Sequence, residues 1–423
     1  MPYAQPAGTV ATATRLHHEG VQAYRQGHTA AAIALLERAL EVWPEFTEAH
    51  NNLGVLLQAE GRLDEAARRF ERALGLNPTY AEAHNNLGAV LQAQGRLAEA
   101  IPRFEQAVAA NPAYLDALNN LAMALFALDR FEAAIAHWGR VLTLAPGHRG
   151  AEVCISKALY GLSMADAEGA RRLARAVLAD HPESPVIRHG VAGIIGEVTP
   201  DRAETGYVTA LFDFFAGNFD DALGRLNYSP RTLVAMLAHE WTATNPLPAD
   251  PGPDLLPDIL PDILDAGCGT GLAAGFLRPL AGTLTGCDLS RRMLEQARAT
   301  GHYDHLIEAE LVGFLRTHPE CFHMVVAADV LVYFGALHPV FAAVRTALRP
   351  GGLFACSMEG GDDAPSTDAG FVLASGGRYK HTSRYLREVA ASTGFEVRQL
   401  LPETQRWEVG EPIPGLKLVA RKE

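Results

Sequence analysis

The residues best suited to chemistry lie in "PDILDAGCGTGLAAGF", positions 261–276. Asp265 ends an apolar run, and Gly267, Gly269 and Gly271 follow at alternate positions. A turn without side chains lets the backbone close upon a ligand, and the helix start that follows favours negative charge. A dinucleotide site requires G-x-G-x-x-G, with the third glycine bringing helix and strand together; here Leu272 stands in that place. No G-x-x-x-x-G-K-[ST] occurs, which excludes a nucleoside-triphosphate loop. A second carboxylate, Asp288, ends the apolar run of "TLTGCDLSRRMLEQAR". At the end of a neighbouring strand an acid can accept both hydroxyls of a ribose.

These side chains need a scaffold. The segments "DILDAG", "LTGCDL", "HLIEAE", "HMVVAADVLV" and "LFACSM" read as strands alternating with helices. That order predicts a doubly wound α/β sheet with ligands at the carboxyl ends of its strands. The D-x-G-x-G-x-G turn on such a strand resembles motif I of class I S-adenosylmethionine-dependent methyltransferases. The resemblance implies that Asp265 accepts hydrogen bonds from the cofactor's ammonium end. Through "D-L-S-x-x-M-L" it implies Asp288 as ribose ligand, with Leu289 and Met293 beside the adenine. It places Glu310 near the adenine amino group, Asp329 beside the methionyl group and Tyr333, in "AADVLVYFGAL", near the transferred methyl. The tail "FEVRQL…GLKLVARKE" resembles the family's closing antiparallel hairpin.

Methyl transfer needs an aligned nucleophile and, where that nucleophile is protonated, a base. "DVLVYF" lacks the N/D-P-P-Y/F signature of amino-methylating nucleic-acid enzymes, and no metal-ligand cluster is present. Repeat-bearing relatives carry a stretch similar to "GGRYKHTSRYL", which makes His381 the first choice for base and Tyr333 the second. Arg378 and Tyr379 are the neighbouring substrate-side candidates, and Thr382 or Ser383 would cap the helix that follows. The acidic, glycine-rich "EGGDDAPSTDAG" suits a mobile substrate lid.

The first half of the chain is periodic. Pro44, Pro78, Pro112 and Pro146 recur every 34 residues, with Ala32, Ala66, Ala100 and Ala134 in the same register. Each copy holds two amphipathic helical segments split by Gly27, Gly61, Gly95 or Asp129. This resembles the tetratricopeptide (TPR) repeat and predicts an all-α superhelix that is stable only when stacked. Small Gly54 and Ala66 are expected to let the paired helices approach, with Phe70 and its counterpart Phe104 filling the gap. Asn51, Asn85 and Asn119 recur at the repeat period and are expected to offer amides to a peptide main chain. The lysine clamp that grips C-terminal carboxylates is absent.

Together these features divide the chain into a flexible start (1–12), four repeats (13–148), a worn repeat with closing helices (149–200), a helical cover with a proline-rich connector (201–250) and the methyltransferase domain (251–423). The segment around Phe212, Phe215 and Phe219 resembles the lead-in helices of bacterial repeat-bearing methyltransferases. A formal net charge of −13 without a basic patch argues against nucleic-acid partners. The chain starts without a signal-like segment, no stretch is long and apolar enough for a membrane, and the five cysteines have no CxxC spacing; a cytoplasmic protein is expected. The expected cofactor is S-adenosyl-L-methionine and the expected partner a protein or peptide. The rival reading is a non-catalytic adaptor.

Overall fold

The computed structural model describes residues 7–197, 199–220, 224, 229–245, 260–361, 369–408 and 411–423. It separates into two compact units, Met1–Leu162 and Ser163–Glu423. The proline-rich connector and most of the expected substrate lid lie outside the described residues.

The first unit is built of antiparallel helix pairs: Ala7–Arg25 with Thr29–Val42, Thr47–Ala59 with Leu63–Leu76, Ala81–Ala93 with Leu97–Ala110, and Leu115–Phe126 with Phe131–Leu144. Gly27, Gly61 and Gly95 turn the chain within their pairs at φ of 82°, 74° and 76°. Asp129 does the same in the fourth pair at 55°, in the left-handed region that Asp tolerates better than most residues. Helix pairs approach closely where the repeat places glycine: a Cβ on Gly54 would lie 2.6 Å from the Phe70 ring, and one on Gly88 would lie 2.6 Å from Phe104. Both rings are fully buried. The start of the chain departs from expectation, because a helix begins at Ala7 and residues 7–12 are part of it.

The asparagine ladder also departs from expectation. Asn51 and Asn85 are buried. Asn86 donates to Asn51 Oδ1 at 3.0 Å, and Asn120 donates to Asn85 Oδ1 at 2.9 Å. Asn119 Oδ1 accepts from the Trp138 indole at 3.1 Å. The amide oxygens are therefore engaged within the array, those of Asn51 and Asn85 from one repeat to the next and that of Asn119 inside its own pair, because a buried acceptor needs a partner whether or not a peptide is present.

The second unit begins with helices Ala167–Asp180 and Pro185–Ile195, capped by Asp166 and Ser184. His189 in the second of these shares a hydrogen bond with Gly377 O at 3.0 Å, which explains why it packs here. The sheet follows, with β1 (Asp262–Ala266), β2 (Thr283–Asp288), β3 (His305–Glu308), β4 (Phe322–Ala327) and β5 (Leu348–Gly360) in parallel order 3-2-1-4-5. A short hairpin, β6 (Phe371–Leu373) and β7 (Tyr379–His381), precedes the closing hairpin β8 (Phe395–Glu408) and β9 (Glu411–Lys422). β9 runs antiparallel along β5. Glu359 pairs with Gly415 of β9 on one side and with Lys380 of β7 on the other, so β7 occupies the β4 side of β5, beyond the end of β4. Helix Arg231–Thr244 covers one face through Leu233 and Leu237, packed with Ile263, Leu284, Met324 and Val419. Phe341, Phe354 and Phe395 fill the other face.

Candidate functional site

The order 3-2-1-4 reverses direction at β1, so the carboxyl ends of β1, β2 and β4 open onto one crevice. Gly267, Gly269 and Gly271 follow β1 with φ of 72°, 54° and 94°. The amides of Gly267 and Cys268 both donate to Cys287 O, at 2.7 and 3.0 Å, which pulls the turn against the end of β2. A Cβ on Gly267 would lie 2.4 Å from Val330, whereas one on Gly269 would fill space whose nearest described neighbour is Phe219, 3.8 Å away. The turn is thus tightly packed at its entry and bare at its centre.

Asp288 faces that bare centre. Its Oδ2 accepts from the Gly269 amide at 2.9 Å and its Oδ1 from the Ser290 amide at 2.8 Å. Burial raises its pKa, opposed by these backbone donors. Leu289, just before the Ser290 cap of helix Arg291–Ala299, is half-buried, and Met293 in that helix's first turn is fully buried. Asp265 is 1% exposed and its Oδ2 accepts from Tyr303 Oη at 2.7 Å. Burial pushes it up to about 7, with Tyr303 opposing the rise and the charge of Asp288 adding to it.

A segment that precedes the sheet lies across this turn. In helix Thr205–Phe215, Asp213 accepts from Ser290 Oγ at 2.6 Å. Further on, Asp220 accepts from Thr270 Oγ1 at 2.5 Å. Phe212 stands edge-on to both Phe219 and Tyr333.

At the ends of β4 and β5 the charges gather. Asp329, at φ 62°, accepts on Oδ1 from Arg378 Nη2 and from Gln405 Nε2. Glu359 Oε1 accepts from Arg378 Nε and from Arg406 Nη1. The β6–β7 hairpin delivers Arg378 to this point, and its guanidinium lies 5.7 Å from the Tyr333 ring centre. Desolvation raises the Tyr333 phenol pKa, opposed by Arg378, so the hydroxyl is protonated at neutral pH.

Several expected roles need correction. His381 is fully buried in β7, where its Nε2 shares a hydrogen bond with Gly335 O at 3.1 Å and its ring stacks on Tyr385. Burial pushes its pKa down to about 4, and no solvent-facing edge is left to take a substrate proton. Tyr379 is likewise fully buried, with its hydroxyl donating to Pro200 O at 2.7 Å. Arg378 is occupied by two carboxylates and so organises the site's charges instead of offering a free guanidinium. Glu310 caps helix Leu311–Thr317 through the Gly313 amide and pairs with Arg202 at 3.2 Å, so both oxygens are already engaged.

Tyr303, Asp213, Asp220, Glu359, Gln405 and Arg406 were not anticipated. The only signal for Tyr303 was its place in "GHYDH", directly before a strand.

Residues 263–352 match the family model described as a methyltransferase domain. Residues 45–113 and 91–149 match two models described as tetratricopeptide repeat. The chain thus carries a methyltransferase domain of Rossmann-like fold behind a set of TPR repeats. No curated protein matches it. Among solved structures it is similar to MamA at 24% identity over 35% of this chain and 86% of that one, with a TM-score of 0.33. It is also similar to a SAM-dependent methyltransferase from Methanosarcina mazei, at 19% identity over 41% and 98% of the two chains, TM-score 0.33. An S-adenosylmethionine-dependent methyltransferase from Mesorhizobium loti gives 24% identity, 38% and 91% coverage and a TM-score of 0.33. Among the described residues no helix is long and apolar enough to cross a membrane.

Proposed function

We propose that this chain is an S-adenosylmethionine-dependent methyltransferase whose repeats recruit a protein partner or a protein-borne acceptor. The observation that carries the reading is the contact between Asp288 and the Gly269 amide beside an open, side-chain-free cradle. Such a cradle suits a nucleoside with a cationic, carboxylate-bearing tail. Asp288 would hold the ribose hydroxyls, Asp265 the ammonium, and Leu289 and Met293 the adenine, with Asp329 next to Val330 at the entry of the turn. When bound, the cofactor supplies a methyl carbon already activated by its sulfonium.

The chain's own residues have to align the acceptor and exclude water. Tyr333, protonated and held between Phe212 and Arg378, is suited to orienting an acceptor as a donor or as an aromatic wall. With His381 withdrawn, Asp329, part-exposed just after β4, is the carboxylate placed to take a proton. The acceptor is a small molecule, a carrier-tethered group or a peptide. On this reading residues 13–148 form the recruiting array, 201–250 the cover and 251–423 the catalytic domain. All five cysteines are free thiols, which suits the reducing cytoplasm.

Titration calorimetry with S-adenosylmethionine and S-adenosylhomocysteine tests the reading. Both should bind, and Asp288→Ala should weaken both by roughly tenfold or more, the loss of hydrogen bonds to a charged group. Absence of heat at millimolar ligand would refute it. Release of S-adenosylhomocysteine in cell extract would then separate an enzyme from an adaptor.

A further inference from the structure

Tyr303 occupies an unusual place. Its ring lies where the side chains of two glycines would otherwise be: Cε2 is 3.2 Å from a Cβ built on Gly271, and Cε1 is 2.9 Å from one built on Gly286. The missing side chains of the turn and of β2 thus admit one phenol beneath the crevice. The next residue fixes its aim. The Asp304 amide donates to Leu284 O at 2.9 Å, and Asp304 Oδ2 accepts from the Leu284 amide at 2.7 Å and from Arg278 Nη1 at 2.6 Å. Clamped in this way, the phenol hydroxyl reaches Asp265 Oδ2 at 2.7 Å.

We infer that Tyr303 is a positioning residue for the amino-acid end of the cofactor: it holds one oxygen of Asp265 and so orients the other toward the ligand's ammonium. The inference rests on the cofactor reading above. A carboxylate buried to this degree favours its neutral form, and a donor on one oxygen favours the charged form that an ammonium needs. Tyr303 therefore acts twice, on the geometry and on the charge of Asp265. It touches no ligand atom on this account and works through the acid alone.

The account predicts selectivity between ligands. S-adenosylhomocysteine carries the amino-acid tail, whereas 5′-methylthioadenosine shares the adenosine and lacks the tail. Tyr303→Phe preserves the ring that fills the space beside Gly271 and Gly286 and removes only the hydroxyl. Calorimetry at neutral pH should show S-adenosylhomocysteine weakened by roughly tenfold or more, as for a lost hydrogen bond to a charge. Binding of 5′-methylthioadenosine should be unchanged. The pH below which S-adenosylhomocysteine affinity falls should also move upward in the variant, a readout that a packing role would leave still. Tyr303→Phe combined with Asp265→Asn should lose no more than Asp265→Asn alone, since the two act as one unit. Equal losses for both ligands, or no loss for either, would overturn the inference while leaving the cofactor reading intact. Failure of the native chain to bind either ligand would instead overturn the cofactor reading itself.

Discussion

Asp265 makes a prediction that needs no ligand. Its carboxyl is buried at the end of β1 and raised from its ordinary value of 3.8 to about 7. Below 3.8 the group is protonated in both folded and unfolded chains and has no effect on folding. Between 3.8 and about 7 the unfolded chain has lost the proton and the folded chain keeps it, so stability falls as pH rises; above 7 the deficit is constant. At about 1.4 kcal/mol per pH unit the full deficit is roughly 4 kcal/mol. Asp265→Asn keeps an acceptor for the Tyr303 hydroxyl and has no proton to lose. Relative to the native chain, the variant should therefore gain about 3 kcal/mol more at pH 8 than at pH 5. Hydrogen exchange of the β1 peptide across a urea series at each pH would measure this unit apart from the repeats. Parallel pH dependences in the two proteins would show that Asp265 ionises as readily in the fold as in water. The burial argument would then fail.

Two further outcomes follow from packing. Gly88→Ala should destabilise the repeats by ~1–3 kcal/mol in thermal melts, because its Cβ would lie 2.6 Å from Phe104. Pairing it with Phe104→Leu should return much of that loss, whereas simple additivity would show that the ring is not the obstacle. His381→Gln should reduce the loss of stability on acidification: neutral His381 stabilises fully above its ordinary value of 6.5, and that contribution disappears as pH falls toward about 4. S-adenosylhomocysteine affinity of the folded variant should stay the same, and a large change would return His381 to the site.

The elements were legible in the sequence for a physical reason: each is dictated locally. The 34-residue register of Ala66 and Ala100 against Gly54 and Gly88 reports a packing distance that recurs in the second and third copies. Strands β1 and β2 are apolar because both faces of a parallel sheet are covered. The glycine turn was readable because its left-handed φ values exclude most side chains. The β6–β7 hairpin was not readable. Its strands are three residues each and take their pairing from the far end of β5, so nothing in their own composition marks them.

The roles of polar side chains were harder to read, because residue type alone does not tell a proton acceptor from a buried strut. His381 and Tyr379 have the right chemistry in the wrong environment: alternate residues of one short strand point to the same face, and here that face is the interior. Arg378, between them and the turn, is the residue whose charge stays in play, and only because Asp329 and Glu359 arrive from two other strand ends to meet it. Tyr303 meets Asp265 across 38 residues and Asp213 meets Ser290 across 77, so each pair exists only once the sheet order is set. A buried charge without such a partner would cost more than the fold can spare. The ion-paired cluster of Asp329, Glu359, Arg378 and Arg406 therefore has to form as a unit, and replacing any one member should disturb the others.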